Sequence, residues 1–138
     1  MTSPHDFLHP KSWKPALGYS NGIAAEGRMI FTGGMVGWTG DQTFDSDDFV
    51  DQVRQALQNI VAVLAEGGAD PEHIVRLTWY VTDKQEYLSR LKDLGRAYRE
   101  VLGRHYPVMA LVQVVALVED RAKVEIEATA VIPQAGKD

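Results

Sequence analysis

Between Pro107 and Leu117 the chain reads Pro-Val-Met-Ala-Leu-Val-Gln-Val-Val-Ala-Leu, apolar at every position but Gln113. As a strand it presents Val108, Ala110, Val112 and Val114 to one side and Met109, Leu111 and Val115 to the other. A strand that is apolar on both sides is normally covered on both sides. The chain must therefore build a sheet and supply cover for two faces.

Cover for one face is legible elsewhere. From Ser46, which can cap a helix, Phe49, Val53, Leu57, Ile60 and Leu64 recur at helical spacing until Gly67-Gly68 stops them. Asp47 and Asp48 suit the positive end of that helix. Asp83 opens a second amphipathic helix carrying Tyr87, Leu91, Leu94, Tyr98 and Val101 and ending at Gly103. Between the helices, Asp70-Pro71 starts a single turn, and residues 75–82 alternate as a strand with Val75, Leu77, Trp79 and Val81 inward. Residues 122–131 alternate again, Val124, Ile126, Ala128 and Ala130 against Lys123, Glu125, Glu127 and Thr129. The loop 118–122 is expected to join the last two strands into a hairpin. Residues 19–27 and 28–38 read as two short strands turning at Glu26-Gly27.

The order is ββαβαββ: an α+β or α/β sandwich with two long helices. It forms one domain over residues 1–138, with 1–16 an irregular arm holding three prolines. Two helices of about twenty residues cover one sheet face and little more. The other face needs another copy of the chain, so a homo-oligomer is expected.

Composition narrows the function. Cysteine is absent, which removes disulfides, thiol nucleophiles and thiolate metal sites. Acidic residues outnumber basic ones 19 to 14, so nucleic acid is disfavoured as the main partner. The N-terminal stretch lacks the basic and apolar regions of a signal peptide, and no apolar run is long enough to span a membrane. A cytoplasmic protein with no membrane partner is expected. The Gly33–Gly37 stretch fits neither the dinucleotide fingerprint nor the Walker spacing. His5 and His9 stand four apart but in a proline-bounded arm, a poor setting for a metal, and no metal site is expected. The serines at 12, 20 and 46 lack the partners of a catalytic triad.

From about Tyr19 to Pro133 the chain resembles the Rid family, the reactive intermediate deaminases also called YjgF proteins. The resemblance rests on Gly27–Gly34 (GRMIFTGG), on Val53–Asp83, on AYREVLGRHYP (97–107) and on VEIEATAV (124–131). It implies a chorismate-mutase-like α+β fold, a mixed sheet with two helices on one face, a homotrimer, and small-molecule pockets between subunits. It also implies hydrolysis of reactive enamines and imines, such as 2-aminoacrylate, with no cofactor. Some relatives act on larger unsaturated amino acids of the aminomuconate type, and some family names carry a ribonuclease activity.

By that resemblance Tyr19 is the pocket tyrosine, Gly33 and Gly34 bring backbone amides to the ligand, and Glu125 holds the attacking water. The arginine that grips the substrate carboxylate in the deaminating members is Met109 here. A cysteine two residues on is Leu111, and an asparagine on the second helix is Gly95. The chain is thus a divergent member lacking the carboxylate-binding arginine. A less polar ligand, or an acid held by Arg28, Arg76 or Arg104, is implied rather than 2-aminoacrylate. His105, beside the pocket strand, is a further acid or base candidate near neutral pH.

Each position also has a plainer reading. Glu125 can form an interfacial salt bridge to Lys123 or Arg121 of a neighbour. Tyr19 can be a strand aromatic, Gly33-Gly34 a bulge, and His105 a loop histidine; Trp38 either closes the pocket or packs locally. A non-catalytic binding or partner protein on the same scaffold is the alternative function.

Overall fold

The computed structural model describes residues 3–134. Its elements run β1 (Asp6–Leu8), β2 (Gly22–Ala24), β3 (Arg28–Phe31), β4 (Met35–Val36), α1 (Phe49–Glu66), a 3-10 turn (Pro71–His73), β5 (Ile74–Val81), α2 (Lys84–Ser89), α3 (Leu91–Leu102), β6 (Val108–Gln113) and β7 (Val124–Ile132). The main sheet has the order β3–β7–β5–β6, with β4 pairing β7 as its fifth strand. β5 and β6 are parallel, and the pairings of β7 are antiparallel. This is the mixed sheet of an α+β fold.

The first long helix forms where its apolar spacing begins. Phe49, Val53, Leu57, Ile60 and Leu64 are each at most 1% exposed, and fully burying such side chains contributes about 1.5–3 kcal/mol apiece. They pack against Leu77 and Val81 of β5 and Val124, Ile126 and Ala130 of β7, all fully buried. The N-cap is Asp48, whose carboxylate accepts from Asp51 N at 3.1 Å. Ser46, the expected cap, stands two residues earlier and accepts from Asp48 N at 3.0 Å, steadying the cap itself.

Four local expectations give way to longer-range pairing. β2 does not form a hairpin with β3: it pairs antiparallel with β1, so the N-terminal arm carries a strand, and β3 pairs with β7. Gly27 serves close approach instead, because its bare Cα lies against the Ile132 carbonyl and Pro133. β6 and β7 are not neighbours either, since β5 lies between them. The apolar strand stops at Gln113, although Val114 N still donates to Val81 O at 2.8 Å. The second helix is broken at Arg90, which leaves helical geometry at φ −121° and ψ 23°. Its guanidinium bridges Asp48 at 2.9 Å and Asp93 at 3.1 Å, tying the break to the start of α1.

The helices lie on one side of the sheet. On the other, Arg76, Thr78 and Tyr80 of β5 and Glu125, Glu127 and Thr129 of β7 alternate with the core positions and are half-buried or exposed. Met29 and Phe31 of β3 are 56% and 64% exposed, and Val112 of β6 is 46% exposed. The doubly apolar strand thus has its second face uncovered within one chain.

Candidate functional site

The open sheet face holds an acid beside bare backbone. β4 pairs with β7 in the register Val36 to Glu125, which brings the preceding Gly33-Gly34 turn alongside. A β-carbon at Gly34 would overlap the Glu125 carboxylate, whereas Gly33 opens onto free space. Thr32 fixes this turn: its N donates to Ala128 O at 2.9 Å, and its hydroxyl donates to Gly33 O at 2.8 Å and accepts from Ala128 N at 3.0 Å.

Glu125 is half-buried and has no hydrogen-bond or ion-pair partner among the described residues. Its in-chain neighbours are engaged elsewhere, Lys123 with Glu86 at 3.7 Å and Arg121 with Asp47 at 3.0 Å. Glu127 differs: it accepts from the Tyr80 hydroxyl at 2.5 Å, and that bond raises the Tyr80 pKa above its usual value. One carboxylate of this pair is thus committed to a hydrogen bond, and the other has no partner among the described residues.

A second feature lies at the opposite side of the sheet. Tyr19, Gly95 and Met109 meet in a cavity of about 670 Å³ between β6, the second helical region and the Leu17–Tyr19 segment. Tyr19 is held there because Ser20 bridges to Val108 and its N donates to Pro107 O at 3.2 Å. The walls are aromatic: Tyr98 stacks on Tyr106 at 5.3 Å, and Trp79 meets the edge of Tyr87 at 6.3 Å. A shallower cleft of about 240 Å³ joins Tyr19 and Met109 to Arg76.

The remaining expected residues lie elsewhere. Leu111 packs against the core from the helix-facing side, in register with Trp79. His105 is 3% exposed, shares a 2.7 Å hydrogen bond between Nε2 and Ile74 O, and stacks with Phe7 at 6.2 Å. Burial lowers its pKa, and its surroundings are those of a core residue, not a surface loop. Trp38 packs against Phe44 at 5.7 Å, and its carbonyl accepts from Asn59 at 2.7 Å. Arg28 donates to Gly67 O at 2.6 Å at the end of α1, and Arg104 lines neither cavity. Of the three arginines considered, Arg76 alone borders Tyr19 and Met109.

Arg99 was not foreseen. It stands one helical turn after Gly95, and both border the larger cavity. The signal was available as a glycine four residues before an arginine inside an amphipathic helix.

Glu125 and Met109 face opposite ways. The register runs Val36, Glu125, Tyr80 and Val112 across one face, while Met109 sits beside Leu77 on the other. A single chain therefore holds the free acid and the aromatic cavity on different surfaces.

The chain is similar to known proteins along most of its length. The chain matches the family described as Endoribonuclease L-PSP over residues 10–132. It is 35% identical to Protein DfrA of Myxococcus xanthus over 131 residues, covering 90% of this chain and 93% of that protein. TdcF of Escherichia coli (strain K12), which carries a reactive intermediate deaminase name, is 31% identical over 108 residues, 76% of this chain and 80% of that one. The solved structure of YyfB from Yersinia pestis, a Rid family protein, superposes with a TM-score of 0.83 at 26% identity, covering 93% of this chain and 98% of that one. The chain belongs to the Rid/YjgF family, whose profile is described as Endoribonuclease L-PSP.

Proposed function

We propose that this protein hydrolyses a reactive imine or enamine larger than 2-aminoacrylate, in a pocket that two copies of the chain complete. The observation that carries the proposal is Glu125, half-buried, unpaired among the described residues and pressed against the bare backbone of Gly34. In this reading the Glu125 carboxylate takes a proton from water while the water oxygen attacks the imine carbon. The C=N electron pair moves to nitrogen, which takes that proton back from Glu125 and gives a carbinolamine. Glu125 then removes the carbinolamine hydroxyl proton as the carbonyl forms and delivers it to the nitrogen as the C–N bond breaks, and ammonia and a carbonyl compound leave. Backbone N–H groups at the Gly33-Gly34 turn are the donors available to polarise the substrate.

Assembly follows from the two faces. A second copy packed on the exposed Met29, Phe31 and Val112 would bring its Tyr19 and Met109 cavity toward Glu125 of the first. A homotrimer, as in the resemblance, is the proposed form. The ribonuclease of the family description has less support, because acids outnumber bases 19 to 14 and the open face carries Glu125 and Glu127.

Replacing Glu125 by Ala is the direct test. The variant should keep its oligomeric state and lose ammonia release; unchanged turnover would remove Glu125 from the mechanism. A second reading, a non-catalytic binding protein, is favoured by Met109 and Gly95, because binding does not require a held water. It predicts ligand affinity that the Glu125 variant leaves unchanged and no ammonia release from either protein.

A further inference from the structure

Met109 gives the larger cavity no charge, yet one wall carries a cation. Arg99 borders the cavity from α3 and has no acidic partner within 4 Å among the described residues. Gly95, one turn earlier, makes room for it: a β-carbon at position 95 would lie 3.0 Å from Arg99 Nη1 and 3.9 Å from the guanidinium carbon. The guanidinium thus occupies the space that a side chain at 95 would fill. Glycine in a helix interior costs roughly 0.5–1 kcal/mol relative to alanine, so its presence in the middle of α3 needs a compensating reason. Leaving room for the Arg99 guanidinium at the border of the cavity supplies one.

The remaining walls define what the cation would hold. Trp79, Tyr87, Tyr98 and Tyr106 make the cavity aromatic, while Leu88 and Leu91 leave about half their surface exposed, 51% and 52%, at its border. The volume of about 670 Å³ lies within the usual range for sites that enclose a whole organic ligand, and a three-carbon acid would leave most of it empty.

Building on the hydrolase reading of the same site, we propose that the substrate is a 2-imino acid with an aryl or similarly bulky apolar side chain. Arg99 holds its carboxylate in place of the arginine absent at position 109. The aryl group lies among the tyrosines and Trp79, where offset and edge contacts favour an aromatic partner. The guanidinium grips the carboxylate through paired N–H donors. Arg99 is then a specificity-determining residue, and Gly95 positions it.

The test is calorimetric binding to the intact protein of phenylpyruvate, pyruvate and phenylacetone, the last carrying the aryl group without the carboxylate. Phenylpyruvate should bind at least tenfold more tightly than pyruvate. Arg99→Met should weaken phenylpyruvate at least tenfold and leave phenylacetone within twofold, and Gly95→Asn should act in the same direction by displacing the guanidinium. Equal affinity for pyruvate and phenylpyruvate, or phenylpyruvate binding indifferent to Arg99→Met, would overturn the assignment. Ammonia release separates this from the parent reading. The binding pattern without turnover of any imine would retain Arg99 and reject the hydrolase; turnover of small imines with no preference for phenylpyruvate would do the reverse.

Discussion

Gly34 lies against the carboxylate of Glu125, so closely that any β-carbon at 34 would collide with Oε2. The obstacle is the far end of a side chain, which can rotate away at small cost to the fold. Gly34→Ala is therefore expected to leave the melting temperature within a few degrees and to lower ammonia release about 10²-fold or more, as when a general base is displaced. A variant that melts normally and turns over normally would separate Glu125 from the chemistry.

Gln52 is the buried amide that ties α1 to the loops around it. It is 1% exposed; Nε2 donates to Ser46 O at 3.1 Å and Arg121 O at 3.0 Å, and Oε1 accepts from Lys123 N at 2.8 Å. Replacing it by Leu leaves three partly buried backbone groups without their partner, so Gln52→Leu should cost about 2–4 kcal/mol in denaturant unfolding. A loss below about 0.5 kcal/mol, the usual scale of a surface substitution, would contradict this role.

His105 should make stability depend on pH. Its folded pKa lies below the ordinary value, chiefly through burial; the hydrogen bond to Ile74 O and nearby Glu72 oppose the shift, while His5 and His73 add to it. The folded state thus binds a proton less readily than the unfolded chain. Stability is full above an unfolded pKa of about 6.5 and declines as pH falls below it, until the folded group also titrates. Melting temperatures between neutral pH and pH 5 should fall more for the wild type than for His105→Gln, and parallel curves would reject the assignment.

Phe31 tests the second cover. It is 64% exposed beside Met29 at 56%, on the face that the proposed trimer would bury. Light scattering on the wild type should give a multiple of the 15.3 kDa chain mass, three times it for the proposed trimer, and Phe31→Asp should give the single-chain mass. A wild-type monomer would leave Glu125 and the Met109 cavity without a means of meeting.

How far the sequence disclosed this follows from the range of each interaction. The helix-facing positions of α1, β5 and β7 were legible because their periodicity is a local record of burial: Leu57, Leu77 and Ile126 are all fully buried. Both misplaced hairpins came from local turn signals that non-local pairing overrode. Gly27 packs against Ile132, and β5 separates β6 from β7. The break at Arg90 depends on Asp48, 42 residues away, which no helical period encodes. Tyr19, Gly95 and Met109 could be brought together only through resemblance, since they come from three elements. His105 looked like a loop histidine because nothing local announces a ring nitrogen on the Ile74 carbonyl. Gln113, the lone amide in the apolar run, accepts from Lys84 N at 2.8 Å at the start of α2, a structural use that the strand pattern did not show.

The most direct test of the account is ammonia release from enzymatically generated imines and enamines with small, bulky apolar and dicarboxylic side chains, against a no-protein control. The wild type should accelerate hydrolysis of the bulky class well above that of 2-aminoacrylate. No acceleration anywhere in the panel would contradict the account and leave a binding protein on a Rid scaffold.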